Sequence, residues 1–138
     1  MEVFTFVNEV KDIISQEVNM SGVKVIDINK VEGERRDPPR TSWKLVSEKT
    51  VGSKNIAMGL NETDPGSMVP EHVHEIEEEV MFFLEGKGKF ITEGQEIDVK
   101  PGIAIYNPPG KAHKILNTGN SKLKFVWMYS PQLKSHRK

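Results

Sequence analysis

The chain has 138 residues, 36% apolar and 28% charged, which fits one domain that can bury a core. A net charge of -1 argues against general nucleic-acid binding, because no overall positive charge attracts phosphate. The lack of cysteine excludes disulfides, thiolate ligands and a cysteine nucleophile. No apolar run reaches the ~20 residues of a membrane span and no signal peptide is evident, so we expect a cytoplasmic protein without nucleic-acid or membrane partners.

The first part of the chain shows the periodicity of a helix. Phe6, Val10 and Ile13 recur at helical intervals, with polar residues between them. This spacing predicts that residues 1–20 form a short amphipathic helix, which Gly22 ends. We expect its apolar face to pack on a later part of the chain.

Beyond this predicted helix the apolar residues alternate as they do in strands, for example within residues 41–49 and 55–63. Proline and glycine turn signals then follow at short intervals. Many short strands with regular turns predict an antiparallel β-sandwich or barrel, which we assign to residues 21–131. Residues 132–138 are polar and basic, so we expect a frayed tail in which His136 takes no part in a functional site.

Three of the four histidines form a pattern with a glutamate: His72 and His74, then Glu79, then His113 further along. Residues two apart in a strand point the same way, so His72 and His74 can share a ligand. Neutral imidazole and carboxylate are common ligands of divalent transition metals. If the four side chains converge in the fold, they form a metal site.

The segment after the histidine pair is apolar on both faces. Strand alternation predicts an inner and an outer face, which are Glu79, Met81 and Phe83, and Val80, Phe82 and Leu84, respectively. A strand with two apolar faces needs cover on both sides. We expect the outer cover to be the N-terminal helix or a second subunit, and we predict a homodimer.

Two motifs framed by glycine and proline surround the histidines. Gly66-x5-His72-x-His74-x4-Glu79-x6-Gly86 resembles the first motif of the cupin family at every fixed position, and Gly102-x5-Pro108-x-Gly110-x2-His113-x3-Asn117 resembles the second. The resemblance implies an all-β fold, a conical antiparallel barrel of the jelly-roll type that is often dimeric. It also implies that His72, His74, Glu79 and His113 hold one divalent metal per subunit.

Glu79 has rivals among the neighbouring acids. Glu78 also fits a looser form of the first motif, and Glu75 and Glu77 lie nearby. The spacing of Glu79 from Gly86 favours Glu79 as the ligand. We expect the other three to be solvated acids that add negative potential at the mouth of the site.

A cupin site of this kind implies a metal-dependent enzyme that acts on a small oxygenated organic substrate. Four protein ligands on a metal that prefers six leave about two positions open. We expect Fe, Mn, Ni, Zn or Co, and we place a dioxygenase-like reaction ahead of an isomerase, lyase or cyclase. The alternatives are a non-catalytic small-molecule or sugar-binding module and, least favoured because all four ligands are present, a metal-free scaffold.

Several large side chains are candidates for a substrate pocket, although most such residues in a small barrel belong to the core. These candidates are Trp43, Met58, Met81, Phe83, Tyr106 and Trp127. Trp43 and Tyr106 are preferred because each carries a polar group beside its ring. No catalytic base stands out; Tyr106, a spare acid such as Glu75, or a metal-bound hydroxide would serve.

A charged loop precedes the first long predicted strand and contains Arg35, Arg36 and Arg40. Guanidinium groups bind carboxylates with paired hydrogen bonds, so these residues are candidates for a clamp on an anionic substrate. Such loops are more often solvated, and we favour that interpretation.

Overall fold

The computed structural model describes the strand backbones of residues 4–6 and 16–18 and the whole of residues 22–138. None of the helices in these parts is long and apolar enough to cross a membrane. One short helix is present, α1 (Glu48–Val51), with 3-10 turns at Ile28–Lys30 and Lys134–His136. The strands are β1 (Phe4–Phe6), β2 (Gln16–Val18), β3 (Val23–Val25), β4 (Glu34–Arg36), β5 (Arg40–Val46), β6 (Ala57–Thr63), β7 (Met68–His72), β8 (Glu78–Glu85), β9 (Gly88–Thr92), β10 (Gln95–Val99), β11 (Ala104–Asn107), β12 (His113–Asn117) and β13 (Leu123–Ser130).

Two of the three described sheets enclose the core. The larger runs β11-β8-β13-β6-β5-β4, and its partner runs β10-β9-β12-β7, with antiparallel pairing throughout. Buried side chains from both sheets form one cluster, which contains Ala57, Met81, Phe83, Phe90, Val99, Ile115, Leu123, Phe125 and Trp127. The prediction of an all-β antiparallel barrel is confirmed.

The two faces of β8 differ as predicted. Met81 and Phe83 are 0% exposed, whereas Phe82 is 43% and Leu84 40% exposed. The exposed residues belong to the outer face of the six-stranded sheet, where Met128 of β13 is 40% exposed. Apolar side chains in such numbers on one face are typical of a surface that another protein covers. A homodimer stays a prediction, which sedimentation analysis of the purified protein checks.

Gly59 lets β6 pass close to a neighbouring backbone and an indole ring. A Cβ atom at Gly59 would overlap the backbone oxygen of Trp43 and the ring of Trp127. Both groups are fixed in the sheet, so we expect Gly59→Ala to lower the free energy of unfolding by ~1–3 kcal/mol in urea denaturation. Gly119→Ala is the matched control, because a Cβ there meets mainly the flexible side chain of Lys87. Equal losses in the two variants would contradict this account.

The predicted N-terminal helix is wrong at the residues that the structure describes. Both β1 and β2 are strands, and β2 pairs with β1 on one side and β3 on the other. Phe4, Thr5 and Phe6 are aromatic and β-branched, which favours extended backbone once a partner strand is present. Helical spacing within residues 1–20 could not reveal that partner; the rest of this range lies outside the described residues.

The C-terminal residues are packed rather than frayed. Gln132 is 1% exposed, and its Nε2 donates to the backbone oxygen of Ser53 over 3.0 Å. Its Oε1 accepts from the backbone N–H of Glu48 over 2.7 Å, which satisfies a free amide at the start of α1. The backbone N–H of Lys138 donates to the Glu48 side chain over 3.0 Å. These contacts join parts of the chain far apart in sequence, which a local pattern does not show.

Candidate metal centre

The strand pairing brings the two motifs to one end of the barrel. His72 ends β7 and lies opposite His113, the first residue of β12. Glu79 lies near the start of β8, opposite Tyr129 of β13. His74 follows β7 in a loop, where its backbone oxygen accepts from the N–H of Gly110 over 2.8 Å. This last bond ties the first motif directly to the second.

The side chains of these residues converge. Potential ligand atoms of His72, Glu79 and His113 lie within 4.8 Å of one another, a group that could hold a metal ion. Glu79 Oε1 is 3.1 Å from His113 Nε2 and 4.0 Å from His74 Nε2. The His74 ring is 4.7 Å from that of His72 and 6.1 Å from that of His113, so His74 stands at the edge of the group.

Three of the converging atoms are buried without a hydrogen-bond partner among the described residues. They are Nε2 of His74, Nε2 of His113 and Oε1 of Glu79. A buried polar atom left unpaired costs about 1–3 kcal/mol, so folded proteins rarely keep several together without a use for them. Two nitrogen donors and a carboxylate oxygen facing one point suit a divalent transition metal.

Hydrogen bonds on the far sides of two rings orient them toward this point. His72 Nδ1 lies 2.9 Å from the backbone oxygen of Pro70, which can only accept, so Nδ1 carries the proton and Nε2 is free. His113 Nδ1 lies 3.3 Å from the backbone oxygen of Lys111 and 3.1 Å from the Asn107 amide. The His72 contact leaves Nε2 available for a ligand, whereas the two His113 contacts orient the ring and leave Nε2 available when Nδ1 donates to Lys111.

Burial keeps two of the imidazoles neutral. Removal from water lowers the pKa of His72 and of His74, and the nearby His113 lowers both further, against the opposing charge of Glu79. A neutral ring is the form that binds a metal, so metal binding has less competition from protons. Burial, with the Glu79 charge as a second cause, raises the pKa of Tyr129, whose phenol stays protonated at neutral pH.

The structure separates Glu79 from its neighbours. Glu79 is 4% exposed and lies inside the barrel, as predicted. Glu78 points outward and accepts a hydrogen bond of 2.8 Å from the Tyr106 hydroxyl. Glu75 is exposed, as expected, whereas the expectation that Glu77 is solvated is wrong, because its side chain is buried without joining the cluster of ligand atoms. The spacing argument that favoured Glu79 agrees with this arrangement.

Family comparison agrees with the two motifs. The family described as "Cupin domain" matches residues 59–129, about half of the chain and all four predicted ligands. This protein is a cupin.

Relatives of this cupin include proteins with different described roles. It is 34% identical over 82 residues to an oxalate-binding protein of Thermotoga maritima, covering 59% of this chain and 68% of the relative. It is 27% identical over 110 residues to a polyketide synthase protein, CurC, of Streptomyces cyaneus, covering 78% and 70%. The crystal structure of a predicted oxalate decarboxylase from Thermotoga maritima is similar at a TM-score of 0.72 and 27% identity, covering 78% of this chain and 99% of that one.

A cavity of about 310 Å³ opens beside the ligand cluster of the cupin barrel. Its wall includes the four predicted ligands and apolar side chains of the core, among them Ile115 and Phe125. Charged and aromatic side chains complete the wall, among them Arg36, Arg40, Lys44, Trp127, Tyr129 and His136. The volume suits a small organic molecule, since ligand pockets begin at about 300 Å³.

Of the six predicted pocket residues, Trp127 lines this cavity. Met81 and Phe83 are fully buried in the core, and Met58 lies on the other face of β6. Trp43 packs against Gly33, on the opposite face of β5 from the cavity residue Lys44. Met81 and Phe83 are therefore core residues, whereas Met58 and Trp43 lie on the outer face, and none of the four lines the cavity.

Tyr106 does not lie in the cavity either. It is 58% exposed and donates to Glu78 on the outside of the barrel, so it is not placed to act as a base at the ligand cluster. Tyr129 and His136 are among the cavity residues that were not predicted. Tyr129 could have been found, because alternation along β13 places it on the same face as Phe125 and Trp127. Nothing in the local sequence points to His136.

The arginine loop divides between two roles. Arg36 and Arg40 line the cavity. Arg35 instead binds the Asp64 carboxylate, with Nη1 at 3.1 Å from Oδ1, and also donates to Thr41. Of the three arginines considered for a clamp, the less favoured alternative, Arg36 and Arg40 line the cavity and Arg35 does not.

The His136 environment predicts a pH dependence of stability. Burial, followed by the charges of Lys44, Lys49, Arg36 and His74, lowers its pKa from 6.5 to about 4. Between these values the unfolded chain binds a proton that the folded one does not, so wild-type unfolding free energy falls as pH drops through this window. His136→Asn removes this contribution, so its stability deficit relative to wild type should shrink between pH 7 and pH 4. Urea denaturation at several pH values measures the deficit; a constant difference would contradict the assignment.

Proposed function

We propose that this cupin is a metal-dependent enzyme that acts on a small oxygenated organic substrate. His72, His74, Glu79 and His113 would hold one divalent transition metal per subunit. The observation that carries the proposal is the convergence of three buried atoms without hydrogen-bond partners in the described chain. The adjoining cavity gives a small molecule access to the same point.

A bound transition metal would supply Lewis-acid or dioxygen chemistry at coordination positions that the protein leaves open. The cupin's own residues prepare the site for it. Apolar walls at Phe125 and Trp127 limit water around the ligands, which strengthens electrostatic interactions there. Tyr129, which lies opposite Glu79, keeps its proton and can donate a hydrogen bond to the carboxylate or to a substrate oxygen.

Among reaction types, we place a dioxygenase-like reaction first. It needs open metal positions and no separate protein base, and Tyr106, one of the three bases considered for an isomerase or lyase, lies outside the cavity. An isomerase, lyase or cyclase reaction is the next alternative, and the 27% identity to a protein described as polyketide synthase CurC supports a polyketide-related substrate for it.

A second candidate function is non-catalytic binding of a small acid. The 34% identity to an oxalate-binding protein favours it. The two candidates share the metal centre and differ in whether the bound molecule is converted.

The test is to purify the full chain without added metal and to measure bound metal by mass spectrometry. The protein is then loaded separately with Fe, Mn, Ni, Zn or Co and mixed with small acids, diketones and flavonoid-like compounds. We expect about one metal per chain and dioxygen uptake that follows iron or manganese content. Full occupancy with neither uptake nor product would favour the binding function. If none of these metals binds stoichiometrically, the metal centre is overturned.

A further inference from the structure

The C-terminal segment, residues 131–138, forms part of the cavity wall. His136 is 3% exposed, and its ring stacks on Trp127 with centroids 5.3 Å apart and planes at 11°. It also lies 5.8 Å from the Tyr129 ring. Leu133 and Ser135 of the same segment line the cavity beside it. The segment that looked like a tail in the sequence therefore faces the same space as the ligand cluster.

His136 carries an unused polar atom in this wall. Its Nδ1 is buried and has no hydrogen-bond partner in the part of the chain that the structure describes. Stacking on Trp127 fixes the plane of the ring, so the nitrogen cannot turn freely to reach another group. A bound molecule with polar atoms would supply the missing partner.

The cavity also collects positive charge next to His136. Arg36, Arg40 and Lys44 line it, against two lining carboxylates, Glu71 and Glu79, before any divalent metal is counted. Glu79 faces the histidine cluster rather than the three cations. Of these cations, Arg36 is ion-paired with Glu34 over 2.8 Å.

These three cations keep most of their hydrogen-bonding capacity. Arg36 Nη2 donates a hydrogen bond to the Glu34 carboxylate over 2.8 Å, and Arg40 Nη1 donates to the backbone oxygen of Pro38 over 2.9 Å. Each guanidinium has further N–H groups to donate. Lys44 forms no ion pair with any carboxylate in residues 22–138. An anion in the cavity would meet several such donors at once.

We infer that Arg36, Arg40, Lys44 and His136 form a subsite for the carboxylate of a small organic acid. This assignment deepens the proposed function and rests on it for the second attachment point, at the metal centre. Guanidinium and ammonium groups bind carboxylates through charge-assisted hydrogen bonds, and the His136 ring adds a directional contact. The C-terminal segment is then part of the substrate site, and the substrate class is a small dicarboxylate or an oxygenated monocarboxylate.

The test uses oxalate, malonate, succinate and glutarate as probes, each paired with its neutral diamide. Binding to the full-length protein is measured by calorimetry, once after chelator treatment and once after manganese loading. We expect at least one acid to bind more tightly than its diamide in both states. Lys44→Gln should lower the affinity for that acid about tenfold or more, because a charge-assisted hydrogen bond is lost. The affinity for the diamide should stay unchanged.

Lys49→Gln is the matched control for Lys44→Gln. It removes the same charge from an exposed lysine that acts on His136 electrostatically but does not line the cavity. We expect it to leave the acid's affinity within about twofold of wild type, since a screened surface charge contributes little. Equal weakening by the two variants would overturn the subsite, because it would show a general charge effect.

His136→Phe keeps the ring stack on Trp127 and removes both nitrogens, whereas His136→Asn keeps a polar atom near the position of Nδ1. We expect the phenylalanine variant to lose affinity for the acid and the asparagine variant to retain part of it. Circular dichroism checks that both variants are folded. If they are not, the affinity of the Lys44→Gln variant for the acid tests the subsite without them. If the wild-type protein binds every acid no more tightly than its diamide, the subsite is overturned.

Metal content measured on the same samples separates the two proposals. Acid binding that depends on Lys44 in a sample that takes up no manganese on loading would support the subsite and remove the proposed metal chemistry. Stoichiometric metal with acid affinity insensitive to Lys44 and His136 would overturn the subsite and leave the metal centre standing.

Discussion

Glu79→Gln is expected to remove most of the bound metal, while Glu78→Gln leaves metal content at the wild-type level. The amide keeps the size of the side chain but loses the negative charge, which attracts a divalent cation more strongly than a neutral amide does. Glu79 is 4% exposed, with Oε1 3.1 Å from His113 Nε2, whereas Glu78 accepts from Tyr106 on the outside of the barrel. Loss of a supporting residue alone costs about 10–100-fold in metal affinity, so loss of a direct ligand should cost at least that much.

The measurement is metal content by mass spectrometry, followed by competition with a chromophoric chelator to obtain the affinity. The two variants carry the same Glu→Gln change at adjacent positions, so their overall charge is the same. His113→Ala should behave like Glu79→Gln. Equal metal content in the Glu79 and Glu78 variants would show that the ligand cluster is not the metal centre.

Phe83→Ala is expected to lower the free energy of unfolding by ~3–5 kcal/mol, as large-to-small core substitutions do. Phe83 is 0% exposed and lies 5.0 Å from the Phe125 ring, so truncation leaves a cavity between two strands of the same sheet. Phe82→Ala removes an identical side chain from the next position, where it is 43% exposed, and should cost less than ~1 kcal/mol.

Urea denaturation of both variants in excess chelator, followed by tryptophan fluorescence, gives the two losses without a contribution from bound metal. The comparison tests the register of β8, because a shift by one residue would exchange the two faces. A larger loss for Phe82→Ala would show that register to be wrong. If Phe82 instead lies in a homodimer interface, its variant should shift the sedimentation profile toward monomer.

The ligand cluster could be predicted in part from local spacing, which pairs His72 with His74, and in part from the resemblance to the two cupin motifs, which implied that Glu79 and His113 join them. Residues two apart on a strand share a face, and the glycines of the two motifs mark turns that backbone sterics demand. Gly86 illustrates this, since it has φ +83°, and a Cβ there would overlap the backbone oxygen of Lys122. Strand alternation likewise predicted the inner face of β8 correctly.

The failures concern contacts between distant parts of the chain. The first residues have helical spacing, yet β1 and β2 are strands that pair with each other and with β3. Tyr106 has the chemistry of a site residue, but its strand turns it outward toward Glu78. His136 belongs to a polar, basic stretch, and its burial depends on Gln132 meeting the backbone near α1. Periodicity and composition do not predict contacts between residues that are far apart in the sequence.

The anchoring of Gln132 and Lys138 has a practical consequence for laboratory work on this cupin. An affinity tag appended after Lys138 would extend from a residue whose backbone N–H is bound to Glu48, next to the segment that walls the cavity. A polyhistidine tag there would bring foreign imidazoles close to a centre built from imidazoles, and the metal found would then reflect the tag as well as the protein. An affinity tag that does not bind its resin through histidine avoids that error, provided that the tag is removed before the metal is measured.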